Sequence, residues 1–297
     1  MKPVLFSLIF SLIFSVLFTT QAIAREIVVL VPGFFNSFAP EYFSRDIIKS
    51  IEKKGFKVYV AEGLNPIGTI EENGERLSQV FAKIEVLEKN INKNTPALKT
   101  TFNVIAHSAG GFYTLFVANQ QKYDIKNILT ISTPYKGIEF IQSWLDDSLI
   151  FSLLTDLAQL DGVVQLTQSG VAKFLSSVRV SPKTKIVAFA GYQEESFDVW
   201  DARNLSAPLR VTSYYISDKS DGIVSYTSAL AVGSILTTEN LKATQLQDPN
   251  YFLALEHWEQ VLESDSFIFL GIRNTDYIRE EQLRFYSALT DYLLKIL

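Results

Sequence analysis

The 297-residue chain has no cysteine, only two histidines and no excess of positive charge, with 27 Lys+Arg against 32 Asp+Glu. Each shortage removes a class of function. Without cysteine there is no disulfide, no thiolate-held zinc, no iron–sulfur cluster and no cysteine nucleophile. Two histidines, His107 and His257, leave little room for a multi-histidine metal site. A formal net charge of −5 argues against nucleic acid as a partner, which would need a basic footprint. What is present is apolar: 47% of the residues are hydrophobic, enough to fill a sizeable core. The 22 phenylalanines suit an apolar ligand as well as an aromatic core.

Residues 1–24 read as an export signal rather than as part of the fold. Lys2 is a short positive start, Val4 to Phe18 is apolar apart from serines, and Ala22-Ile23-Ala24 has the small-x-small pattern of a cleavage site. The alternative is a membrane anchor, but the apolar stretch is ~15 residues, short of the roughly 20 a spanning helix needs. The expectation is a mature chain of residues 25–297, forming one domain, periplasmic or secreted.

Along that chain, apolar runs alternate with amphipathic segments. Strands are expected at 26–31, 56–60, 102–106, 128–132, 185–190 and 210–217, and helices at 41–54, 71–90, 109–121 and 278–296. This alternation predicts an α/β fold, a mostly parallel sheet with helices on both faces. One stretch, 138–184, has no strand signal. It is rich in leucine, with Trp144 and Phe151 among them. It follows the carboxyl end of a strand, where such sheets bind ligands, so it is expected to be a helical cap or lid. Helices that simply pack on the sheet are the other reading.

The segment Asn103-Val104-Ile105-Ala106-His107-Ser108-Ala109-Gly110-Gly111 carries the chemistry. A buried strand runs into a serine with small residues two positions away on either side, and a helix follows. That context is a nucleophile elbow: the sharp turn lifts the Ser108 hydroxyl above the sheet and aims the Ala109 N–H at whatever it attacks. A serine needs a base. His107 is beside Ser108 and is expected to point away from it, which leaves His257 as base. The base needs a carboxylate to hold it, and Asp221, before Gly222 in a loop, is preferred over Asp218. The order Ser108, Asp221, His257 is the one found in α/β-hydrolases. The turn after the first strand, Val31-Pro32-Gly33-Phe34, is expected to give a second oxyanion donor, the Phe34 N–H. Phe34, Phe35 and Phe38 would form an apolar wall beside it.

These motifs resemble those of the bacterial secreted triacylglycerol lipases of the α/β-hydrolase superfamily. The Ala-His-Ser-x-Gly-Gly elbow is similar to theirs. Val31-Pro32-Gly33-Phe34 resembles their oxyanion segment, with Pro32 where histidine is more usual. Ser132-Thr133-Pro134-Tyr135-Lys136-Gly137 resembles their Thr-Pro-His-x-Gly stretch, with Tyr135 in place of histidine. Ser220-Asp221-Gly222-Ile223-Val224 is similar to their acid motif. The resemblance spans about 26–260 and implies a lipase or esterase acting on apolar acyl esters, needing no cofactor and able to meet a lipid interface. Several lipases of this kind bind a structural calcium near the acid and base loops, for which Asp248, Glu256 and Asp276 could be ligands here, and no metal is assigned. A phospholipase, acyltransferase or amidase on the same triad stays open, as does a non-catalytic lipid- or partner-binding protein.

Overall fold

The computed structural model describes residues 26–36, 41–91, 100–146, 161–193, 207–232, 243–245, 248–263 and 275–297. The signal segment 1–24, Phe38 and residues 147–160 of the expected cap lie outside them.

Five consecutive apolar residues give the first strand, β1 (Ile27–Val31), and every one is buried. This follows from a strand covered on both sides. Val29 and Val31 enter one core cluster, and Val28 and Leu30 enter the cluster on the opposite face. The same alternation runs through β3 (Thr101–His107), β4 (Asp124–Ile131) and β5 (Lys185–Phe189). Among the described residues, with β2 (Lys57–Val60) and β6 (Ala243–Gln245), these form a six-stranded sheet in the order β2-β1-β3-β4-β5-β6. All of its pairings are parallel. Parallel neighbours require crossovers, so the carboxyl ends of the strands lie at one edge, where their loops gather.

On one face lie α2 (Ile70–Ile91) and α3 (Gly110–Asn119). Leu77, Phe81 and Ile84 place the apolar side of α2 on the sheet at helical spacing. On the other face lie α1 (Arg45–Lys53) and the last helix, α9 (Thr275–Ile296). Ser44 caps α1, its hydroxyl accepting from the Ile47 N–H at 3.2 Å, and Asp46 and Lys53 complement the helix dipole. In α9, Ile278, Phe285, Leu289 and Leu293 are buried against the sheet.

Between β4 and β5 are α4 (Glu139–Asp146), α5 (Asp161–Gln165) and α6 (Gln168–Ser177). Val171, Phe174 and Leu175 of α6 join the same cluster as α2 and α3. The Phe174 ring meets that of Phe112 of α3 edge to face at 5.9 Å.

One expected strand is a helix. The first half of the stretch 210–217 lies in α7 (Ala207–Ser213), and turn and bend follow. Its β-branched and aromatic residues read as a strand, but Pro208 falls in the first turn, where a missing N–H is tolerated. The Thr212 and Ser213 hydroxyls bond to the carbonyls three residues back, Leu209 at 2.9 Å and Arg210 at 2.8 Å. Val211 and Tyr214, which a buried strand would have covered, are exposed. The sixth strand is instead β6, a short segment unmarked in the sequence pattern. A short helix, α8 (Tyr226–Ala229), follows the acid loop and is capped by Ser225. Among the described residues no helix is long and apolar enough to cross a membrane.

Candidate active site

The end of β3 turns sharply into α3, and Ser108 is the residue at the turn. Its φ is 54°, the left-handed region that side chains disfavour. Neighbouring backbone holds it there: the Ser108 N–H donates to the Ile131 carbonyl at 2.9 Å, and its carbonyl accepts from the Thr133 hydroxyl at 2.8 Å. The turn also needs empty space. A Cβ on Gly110 would lie 2.5 Å from the Val31 carbonyl oxygen, and one on Gly33 would lie 2.7 Å from the Ser108 Cβ. These two glycines let the β1 exit loop and the elbow touch.

The base and the acid come from distant loops. His257 Nε2 is 2.9 Å from Ser108 Oγ, and His257 Nδ1 is 2.8 Å from Asp221 Oδ2. The two loops are also joined through backbone, with the His257 N–H donating to the Asp221 carbonyl at 2.9 Å. Asp221 is fully buried and follows α7 rather than a strand. Gly222, with φ 92°, turns the chain so that the Ile223 and Val224 N–H groups donate to Asp221 Oδ1 at 3.0 and 2.8 Å. Burial alone would raise its pKa. The His257 ring and the two backbone donors outweigh that and hold it below the ordinary value. Asp218 instead accepts from the N–H groups of Lys219 beside it and of Thr227 in α8. The structure thus brings Ser108, His257 and Asp221 together and leaves Asp218 aside.

The loop bearing His257 is moored from behind. The buried Gln282 of α9 donates to the Glu259 carbonyl at 2.7 Å and the Leu262 carbonyl at 2.8 Å. Gln260 donates to Asp221 Oδ2 at 2.9 Å. His107 makes no hydrogen bond to the serine among the described residues, and its ring lies 4.6 Å, centre to centre, from that of His257. Its Nδ1 is 2.8 Å from the Tyr42 hydroxyl. Burial, with His257 beside it, holds the His107 pKa well below the ordinary imidazole value. Gln260, Gln282 and Tyr42 are not marked in the sequence. Each is a lone polar residue whose partner comes from another part of the chain.

At the expected oxyanion position, Gly33 brings the turn against Ser108. Among the described residues no hydrogen bond engages the N–H of Phe34 or of Ala109. Phe35 has φ 59°, its N–H donates to the Pro66 carbonyl at 2.7 Å, and its ring meets Phe34 edge to face at 4.7 Å. Tyr135, where the resemblance would put histidine, is buried, with its hydroxyl 2.9 Å from that of Thr130. Of the acids considered for calcium, Asp248 and Asp276 are exposed and Glu256 is buried. Among the described residues no three His, Cys, Asp or Glu side chains form a group able to hold a metal ion.

No family model matches the chain, and no curated protein is similar to it in sequence. Solved structures are similar in fold. Staphylococcus hyicus lipase superposes with a TM-score of 0.65 at 15% identity, over 91% of this chain and 96% of the lipase. A metagenomic carboxyl esterase gives 0.64 at 15% identity, over 93% of this chain and 77% of the esterase. The chain has the α/β-hydrolase fold. Lipase 1 from Pelosinus fermentans shares that fold, with a TM-score of 0.59 at 12% identity, over 91% of this chain and 98% of the lipase. Ser108 stands at the carboxyl end of β3, and the hydrogen bonds of the line bring His257 and Asp221 to that edge of the sheet.

Proposed function

We propose that the chain is an exported serine hydrolase of carboxylic esters with apolar acyl groups. The observation that carries this reading is the continuous line from Ser108 Oγ through His257 to the buried Asp221 on a strained elbow. In the proposed reaction His257 Nε2 takes the Ser108 proton as Oγ attacks the ester carbonyl. The new oxyanion is held by the N–H groups of Ala109 and Phe34. Collapse expels the alcohol, which receives the proton from His257, and leaves an acyl-enzyme. Water, deprotonated by His257, attacks that ester and releases the acid and Ser108. Asp221 keeps the imidazole proton on Nδ1 and stabilises the imidazolium. No step needs a metal or an organic cofactor.

The apolar acyl preference is supported by Phe34 and Phe35, which follow Gly33, the residue against the serine turn. The lipases and the esterase of like fold agree with an ester substrate. A fluorophosphonate should form one adduct, mapped to Ser108, and p-nitrophenyl esters should be hydrolysed. Ser108→Ala should lower kcat by at least about a thousandfold. Full esterase activity in that variant would refute the reading. Activity confined to phospholipids or amides in a substrate panel would keep the serine mechanism and change the substrate class.

A further inference from the structure

Behind the line of Ser108, His257 and Asp221 lies a second set of buried polar groups that the reaction above does not use. Gln260 is fully buried, and its amide nitrogen donates both to Asp221 Oδ2 at 2.9 Å and to the Leu255 carbonyl at 3.3 Å. The opposite amide orientation would set its oxygen against the carboxylate, so Asp221 fixes which way round Gln260 sits. Gly191 makes room for this amide, since a Cβ there would lie 2.6 Å from Gln260 Nε2. The amide oxygen of Gln260 and the Nε2 of His107 are both buried, and the Gln260 side chain and the His257 backbone act on the His107 ring as hydrogen-bond acceptors. They are complementary if His107 carries its proton on Nε2. The Tyr42 hydroxyl, 2.8 Å from Nδ1, favours that tautomer by donating to Nδ1. Burial keeps Tyr42 protonated far into alkali, so it remains a donor.

We propose that Gln260 is a positioning residue for the acid, and that Tyr42 and His107 fix its amide from behind. This rests on the hydrolase reading above. A donor on Asp221 Oδ2 restrains the carboxylate and draws off part of the negative charge that faces His257. Removing it leaves more charge on the imidazole side, which favours the imidazolium. The acidic limb of kcat/KM should then move to higher pH. The titratable groups around the pair are His107 from β3, Tyr42 from the segment before α1, and the buried Glu256 and Glu259 that flank His257 in its own loop. All of these are unchanged by a substitution at Gln260.

The test is Gln260→Met, which keeps length and removes the donor, assayed on p-nitrophenyl esters across pH beside the wild-type protein. The expected result is a fall in kcat of about ten- to a hundredfold, the usual weight of a hydrogen bond to a charged group. KM should be unchanged and the acidic limb displaced upward. Tyr42→Phe removes one hydroxyl and serves if Gln260→Met does not fold. It should lower kcat several-fold with the same direction of displacement. A folded variant with wild-type kcat and an unmoved limb overturns the proposal, as does a loss confined to KM. Absence of both turnover and a Ser108 adduct in the wild-type protein would instead overturn the hydrolase reading on which it rests.

Discussion

Asp221 shows how much a single side chain is asked to do. One oxygen accepts from the Ile223 and Val224 N–H groups, and the other faces His257 and Gln260. An asparagine has no orientation that satisfies both sides. With its NH2 on the imidazole side it opposes the Gln260 amide and forces the His257 proton onto Nε2, where it can no longer accept from serine. With its NH2 on the other side it meets two backbone donors. Asp221→Asn should therefore lower kcat by about ten-thousandfold with little change in KM, measured by ester kinetics. Ser108, Ala109 and His257 were legible in the sequence because the elbow is local and histidine is scarce. Asp221 was distinguishable from Asp218 only through Gly222. Gln260 and Tyr42 were not legible, because neither has a motif and each has meaning only through what it touches.

The elbow, as an element, depends on the distance between α3 and the β1 exit loop. Gly110 faces backbone, the carbonyl oxygens of Val31 and Pro32, which cannot rotate aside. Gly110→Ala should push the two apart, costing about 1–3 kcal/mol of stability. Activity should fall further than stability does, because the Phe34 N–H moves with that loop; denaturant melts and esterase assays on the same sample check both. Away from the site, Phe81 of α2 packs edge to face on Phe102 of β3 at 4.6 Å and is fully buried. Phe81→Ala should cost about 3–5 kcal/mol in urea unfolding, with kcat unchanged in the protein that remains folded. Long periodic elements such as α2 and α9 were readable from sequence. The stretch 210–217 was not, since its composition suits a strand while Pro208 and the hydroxyl-to-carbonyl bonds close a short helix.

For the whole molecule, buried titratable groups set the pH range of stability. His107 is kept neutral in the fold, whereas the unfolded chain protonates it below about pH 6.5. The unfolded state then binds the extra proton, so stability falls as pH drops from that point. Asp221, with a lowered pKa, contributes stability above about pH 4 that is lost on further acidification. In alkali the sign reverses. The buried phenols Tyr42, Tyr113, Tyr135 and Tyr286 have raised pKa values, so their contribution is lost as pH rises beyond about 10. Urea midpoints across pH should form a plateau between these limits, and an unchanged midpoint from pH 7 to pH 5 would contradict the neutral, buried His107.

The sequence by itself determined the α/β alternation, the elbow and the identity of the base, because these rest on local periodicity, a short motif and a count of two histidines. Tertiary structure alone decided that the acid loop follows a helix, that Phe174 of α6 meets Phe112 of α3, and that Gln260 and Gln282 secure the acid and base loops. The physical reason is the range of the interactions. Backbone turns and apolar spacing act over a few residues, whereas a buried hydrogen bond joins groups that chain folding brings together from far apart. Ser108 and His257, 149 positions apart, meet at 2.9 Å only because the parallel sheet gathers its loops at one edge.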